Sequence, residues 1–155
     1  EFIKTYDYTD QKVVFRHFSG SGKLLKRKAF DIKGPTCDDV TMVHFLKVFA
    51  QNFEQEEDYQ DFYLITNEPK KYHVRLIDKG QEILELPLGD FEAKKIQLMA
   101  DLGPLTKWIA KVVPKTYVWY KSDYPHDWLQ YVGLENGLRS AKILAHQIQR
   151  SPPLD

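Results

Sequence analysis

A single cysteine, Cys37, leaves this 155-residue chain without a partner for an internal disulfide. No Cys/His grouping has the spacing of a zinc site either, and the two absences together fit a reducing compartment, cytoplasmic or nuclear. No apolar run approaches the roughly 20 residues that a bilayer crossing needs, and residues 1–10 lack the apolar stretch of a signal peptide, so a membrane is not expected as a partner. Net charge is missing too: 22 Lys and Arg balance 22 Asp and Glu. A chain so balanced generates no general field that draws in nucleic acid, and such a partner has to be met by a local patch. The eight glycines and eight prolines are scattered, with no repeat and no low-complexity tract.

What is present is large apolar surface. Hydrophobic residues make up 43% of the chain and aromatic residues 14%, which excludes a disordered segment. The length is that of one domain with one core, expected over residues 1–150. Ser151-Pro152-Pro153-Leu154-Asp155 has the composition of a linker or tail, and the chain opens on Glu1-Phe2-Ile3 without a start methionine. The expectation is a domain of a longer intracellular protein.

Local patterning predicts an α+β fold. Two β-rich runs, 12–18 and 23–33, flank Ser19-Gly20-Ser21-Gly22 and read as a hairpin. After Gly34-Pro35, the residues Met42, Phe45, Leu46, Phe49 and Phe53 recur at helical spacing over 38–53. The run Phe62-Tyr63-Leu64-Ile65-Thr66 reads as a buried strand. A second hairpin is expected to turn at Asp78-Lys79-Gly80-Gln81, and Asp90 to cap a helix carrying Ile96, Met99 and Leu102. A shorter helix with Leu105, Trp108, Ile109 and Val112 follows Gly103-Pro104, then a strand over 116–121. Leu138, Ala141, Leu144, Ala145 and Ile148 predict a closing amphipathic helix over about 134–150. The sum is a mixed sheet of two hairpins and further strands, packed against two or three helices.

The chemistry-bearing feature is Asp31-Ile32-Lys33 at the end of the second strand. Alternation sends Asp31 and Lys33 to one face, and Phe30 and Ile32 to the other. A carboxylate there can hold a hard divalent cation, and a nearby ammonium can orient the water that attacks a phosphodiester. Asp7 and Asp10 precede the partner strand, which brings Asp10 to the same sheet edge. On the residues alone, the plainer reading is that Asp31 and Lys33 are ordinary solvent-facing strand residues.

The order acid, strand, D-x-K, helix, apolar strand resembles the PD-(D/E)xK nucleases, especially the restriction-endonuclease-like domains of anti-phage defence proteins. The resemblance runs from about Asp7 to Asn67, with Thr9 where the family has a proline before its first acid. It implies a divalent-metal-dependent nuclease, or an inactive relative, acting on DNA or RNA. The implied roles are metal ligation by Asp10 and Asp31 with Mg²⁺ or Mn²⁺, and catalysis by Asp31 and Lys33.

Two other features bear on partners. Lys23, Lys26, Arg27 and Lys28 form a basic arm suited to a phosphate backbone, although lysines on a strand edge also serve to block edge-to-edge pairing. Tyr117, Trp119 and Trp128 belong to an aromatic-rich stretch that is either core or a partner surface. The alternative function is therefore a non-catalytic protein-interaction domain of a larger intracellular protein.

Overall fold

A computed structural model of the chain describes residues 1–52, 59–66, 70–101, 115–134 and 142–148. Over these residues 65% of positions are in strands and 9% in a single helix. The fold is thus mostly β, which corrects the expected α+β arrangement with two or three helices.

Three strands make a small antiparallel sheet in the order β1-β2-β3: β1 (Phe2–Asp7), β2 (Lys12–Phe18) and β3 (Leu24–Asp31). The expected hairpin is there. Lys12 lies opposite Asp31, and the ladder runs to Phe18 opposite Leu24. Its tip closes through Ser19 and Lys23, with Gly22 at a φ of 78° that suits glycine. One face of this sheet carries Val13 and Phe15, both at 0% exposure. The other carries Thr5, Asp7, Lys12, Arg16, Arg27 and Asp31, since directly paired residues share a face.

The larger sheet has seven strands in the order β10-β9-β8-β7-β6-β5-β4. It comprises β4 (Thr36–Asp38), β5 (Tyr59–Ile65), β6 (Lys71–Leu86), β7 (Gly89–Asp101), β8 (Thr116–Lys121), β9 (Trp128–Leu134) and β10 (Lys142–His146). Only β4 and β5 run parallel. The helix α1 (Met42–Asn52) connects them, and its apolar stripe falls where the helical spacing places it. Leu46, Phe49 and Ala50 press onto Phe62, Val74, Leu76, Ile96, Val118 and Tyr120 in the main core. Two polar contacts fasten the helix to the sheet. The Tyr120 hydroxyl donates to the Val43 carbonyl at 2.7 Å, and the buried Lys94 ammonium donates to the Ala50 carbonyl at 3.1 Å. The second places a cation in the carboxyl-terminal half of the helix, where the backbone dipole favours one.

Three local expectations give way to strands. The segment expected to form a helix from Asp90 is β7, although Glu92-Ala93-Lys94-Lys95 has good helix propensity. Pairing with β6 on one side and β8 on the other outweighs that propensity. Within β7, Ile96 points into the helix-covered core and Ala93 into a second cluster with Trp119 and Leu129. Asp78-Lys79-Gly80-Gln81 does not reverse the chain. It is a bulge where the β6–β7 register shifts, with the Asp78 carboxylate accepting from the Gly80 amide, and the reversal comes at Leu86–Gly89. The expected closing helix is interrupted by β10, which pairs with β9 along its whole length. The helix expected near Leu105 lies outside the described residues, as does most of the rest of 134–150.

A compact polar clasp joins the two sheets. Lys4 of β1 donates to Asp39 at 2.7 Å, and Tyr6 of β1 donates its hydroxyl proton to Asp38 at 2.8 Å. Asp38 is 7% exposed, and its other oxygen accepts from the amides of Val40 and Thr41 and from the Thr41 hydroxyl. It thereby fixes the turn that leads into α1 while holding the small sheet. Burial opposes its charge, but Thr41, Tyr6 and Lys4 outweigh burial and hold the carboxyl below its usual range. The Tyr6 phenol shifts upward in turn, through burial first and its hydrogen bond to Asp38 second.

Candidate nucleic-acid interface

Asp31 ends β3 on the solvent face, and the strand register fixes its neighbours. Asp7, Lys12 and Asp31 form one cross-strand row, with the lysine in the middle. Asp7 Oδ1 also accepts from the amides of Thr9 and Asp10 at 3.1 and 3.0 Å, which shapes the turn between β1 and β2. Asp10 sits in that turn, fully on the surface. Gln11 follows with a φ of 50°, and its carbonyl accepts from the Ile32 amide at 2.7 Å. Lys33 lies beyond the strand and is exposed. The Asp31 main-chain carbonyl accepts from Lys71 of the large sheet at 2.9 Å.

These positions bear on the cation that the nuclease resemblance implies. Among the described residues no three Asp, Glu, His or Cys side chains converge as a metal ion would need. On the ladder a lysine, Lys12, stands between Asp7 and Asp31 where a further acidic ligand would be needed. The donors present do not fit Mg²⁺ or Mn²⁺ by themselves, and no catalytic step follows from them.

The basic arm is more informative in three dimensions than in sequence. β3 is the outer strand of the small sheet, and Lys26, Arg27, Lys28 and the neighbouring Lys23 are all exposed. Lys26 and Lys28 point to one side, and Arg27 to the other. Across the ladder, Arg16 lies directly opposite Arg27, and His17 opposite Lys26. Like charges opposed in this way destabilise a sheet. Among the described residues Lys23, Lys26 and Arg27 have no acidic partner within salt-bridge range, and Arg16 reaches only the Thr5 hydroxyl, at 3.1 Å. Lys28 rests its ammonium 4.9 Å from the centre of the Phe30 ring. At the strand end nearest the hairpin tip, Phe2 stacks on His17 with ring centres 4.3 Å apart. Sequence alone could not show that Arg16 joins this patch, because its membership depends on register.

The aromatic stretch is largely interior. Trp119 is 5% exposed and donates its indole N–H to Glu82 at 2.7 Å, which removes it from any partner surface. Trp128 packs against the main core and Tyr117 against the second cluster. Lys95 binds the same Glu82 and lies 5.1 Å from both the Tyr117 and Trp119 ring centres. That bond from Trp119, with Lys95 beside it, holds the Glu82 carboxyl below its ordinary value despite some burial.

A second charged group on the large sheet escaped the sequence reading. Arg75 clamps Asp61 with two bonds of 2.8 and 2.9 Å, and His73 stands between Asp61 and Asp101. Period-two alternation of Tyr59, Asp61 and Tyr63 against Phe62 and Leu64 was the available signal. Here Arg75 and His73 each have a carboxylate, in contrast to Lys23, Lys26 and Arg27 of the β3 arm. No protein-family model, curated protein or solved structure matches this chain.

Proposed function

We propose that this domain binds nucleic acid through the β2–β3 ribbon, with Lys23, Lys26, Arg27 and Lys28 contacting the phosphate backbone and Arg16 beside them. One observation carries the reading: Arg16 and Arg27 oppose each other directly, and neither they nor Lys23 and Lys26 have an acidic partner among the described residues. That arrangement costs stability in the free protein and is relieved by an anion. In a chain of zero net charge, such segregation supports a polyanionic partner. The ribbon is compatible with either groove edge or single strand, because it offers cations on both of its sides.

The test is fluorescence anisotropy with labelled duplex DNA, single-stranded DNA and RNA over a salt series. Binding is expected to weaken linearly in log salt, and removal of each contacting cation to reduce the slope by about one on duplex DNA. Lys26→Glu with Arg27→Glu is expected to abolish binding while far-ultraviolet circular dichroism stays unchanged. Equal binding by this variant, or no binding at low salt, overturns the proposal. Incubating the complexes with Mn²⁺ separates the two forms of the nuclease-like reading. Cleavage lost in Asp31→Ala supports an active enzyme, whereas intact nucleic acid supports a binding relative.

A further inference from the structure

We propose that the outer edge of β10, which no strand among the described residues pairs, pairs with the β10 edge of a second copy, making a two-fold dimer with a sheet continuous across both chains. The argument begins with how the other edges are protected. β4 is three residues long, and β3 carries lysines and arginine. On β1, Lys4 is turned inward onto Asp39. Shortness, charge and inward ion pairs are the usual devices against edge pairing. β10, with the sequence Lys-Ile-Leu-Ala-His, has none of them at its centre, and Leu144 there is 61% exposed.

Hydrogen-bond parity supports the same edge. The Gln147 amide donates to the Leu129 carbonyl at 2.9 Å, which continues the β9–β10 ladder. Because bonding alternates along an antiparallel strand, Ile143 and Ala145 direct their main-chain groups to β9, while Lys142, Leu144 and His146 direct theirs outward. A two-fold axis at Leu144 then sets Leu144 opposite itself and Lys142 opposite His146 of the second copy. All three outward residues become bonded pairs, and no two lysines face each other. Self-complementarity of this kind is what an isologous interface requires.

The side chains agree. Leu144 pairs with Val132, Val132 with Tyr117, and Tyr117 with Gln97, so one cross-strand row runs over four strands and stops at an exposed leucine. Pairing two Leu144 side chains continues that row from the second core cluster of one copy to that of the other.

The test is analytical ultracentrifugation of the full chain over a concentration series, alongside oxidative cross-linking. Wild type is expected to show a concentration-dependent dimer. Leu144→Pro deletes only an outward N–H, which an edge strand tolerates, and is expected to weaken dimerisation by about tenfold or more with the circular dichroism spectrum unchanged. Leu144→Cys places two thiols on a bonded pair about 5.5 Å apart at Cα, within disulfide reach. It is expected to cross-link, while Val48→Cys on the exposed side of α1 is not. A monomer at every concentration, or equal cross-linking by the two cysteine variants, overturns the dimer. If Leu144→Pro loses its spectrum, the cysteine pair still decides.

Discussion

The two sheets handle charge in opposite ways. In the large sheet Asp61 has Arg75, Glu82 has Lys95 and Trp119, and Lys94 has the carbonyl of Ala50. In the small sheet the acids gather at one end, as Asp7 and Asp31, and the cations at the other, as Arg16, Lys26 and Arg27. Burial divides the same way. The large sheet is backed by α1 and holds both hydrophobic clusters, whereas β3 is exposed along nearly its whole length. One sheet pairs its charges, whereas in the other Arg16, Lys26 and Arg27 have no acidic partner among the described residues.

The largest expected effect tests the first half of that contrast. Phe62 is 1% exposed and packs with Phe45 of α1 at 4.9 Å between ring centres. Phe62→Ala is expected to cost about 3–5 kcal/mol, from lost burial plus the cavity left behind. Urea unfolding followed by circular dichroism checks it. The complementary loss, Leu25→Ala on the exposed β3, is expected to leave the midpoint nearly unchanged. Similar costs at the two sites would break the comparison.

The clasp between the sheets comes next. Asp38→Ala removes the acceptor for the Val40 and Thr41 amides and for the Tyr6 hydroxyl, so a loss of about 2–3 kcal/mol is expected. Native-state hydrogen exchange is expected to rise more in β1–β3 than in β6–β8. The pH dependence has a definite sign. The folded carboxyl titrates below its unfolded value of about 3.9, so its contribution is complete above that value and fades as pH falls through the lower folded one. Asp38→Asn is expected to flatten the acid limb of the stability profile. An unchanged acid limb would mean that the clasp does not couple the two sheets.

How much of this was legible in the sequence depends on range. The β2–β3 hairpin and α1 were readable because a Gly/Ser turn and a 3.6-residue period are local signals. β7 was not. Its residues favour a helix in isolation, and only strands on both sides, β6 and β8, decide otherwise. The Asp78–Gln81 bulge looked like a turn because a glycine at positive φ serves both. For the candidate site, the basic residues of β3 were visible as a run, but Arg16 opposite Arg27 is a fact of register. Trp119 was read as either core or surface, and its Glu82 bond, 37 residues away in sequence, decided for core.

The smallest effect is the most discriminating, because it predicts opposite signs for the two sheets. Arg27→Glu sets a carboxylate opposite Arg16 and is expected to raise stability slightly, by up to about 1 kcal/mol. Arg75→Glu sets a carboxylate opposite Asp61 in the large sheet and is expected to lower the unfolding midpoint. Thermal melts of the two variants at low salt check both directions, and high salt is expected to shrink both shifts. The stabilised Arg27→Glu protein is also expected to bind nucleic acid less tightly than wild type. A gain in stability coupled to a loss of binding is the behaviour of a residue kept for a partner. If Arg27→Glu instead destabilises the sheet, Arg27 belongs to the fold, and the division of labour between the two sheets fails at the residue chosen to define it.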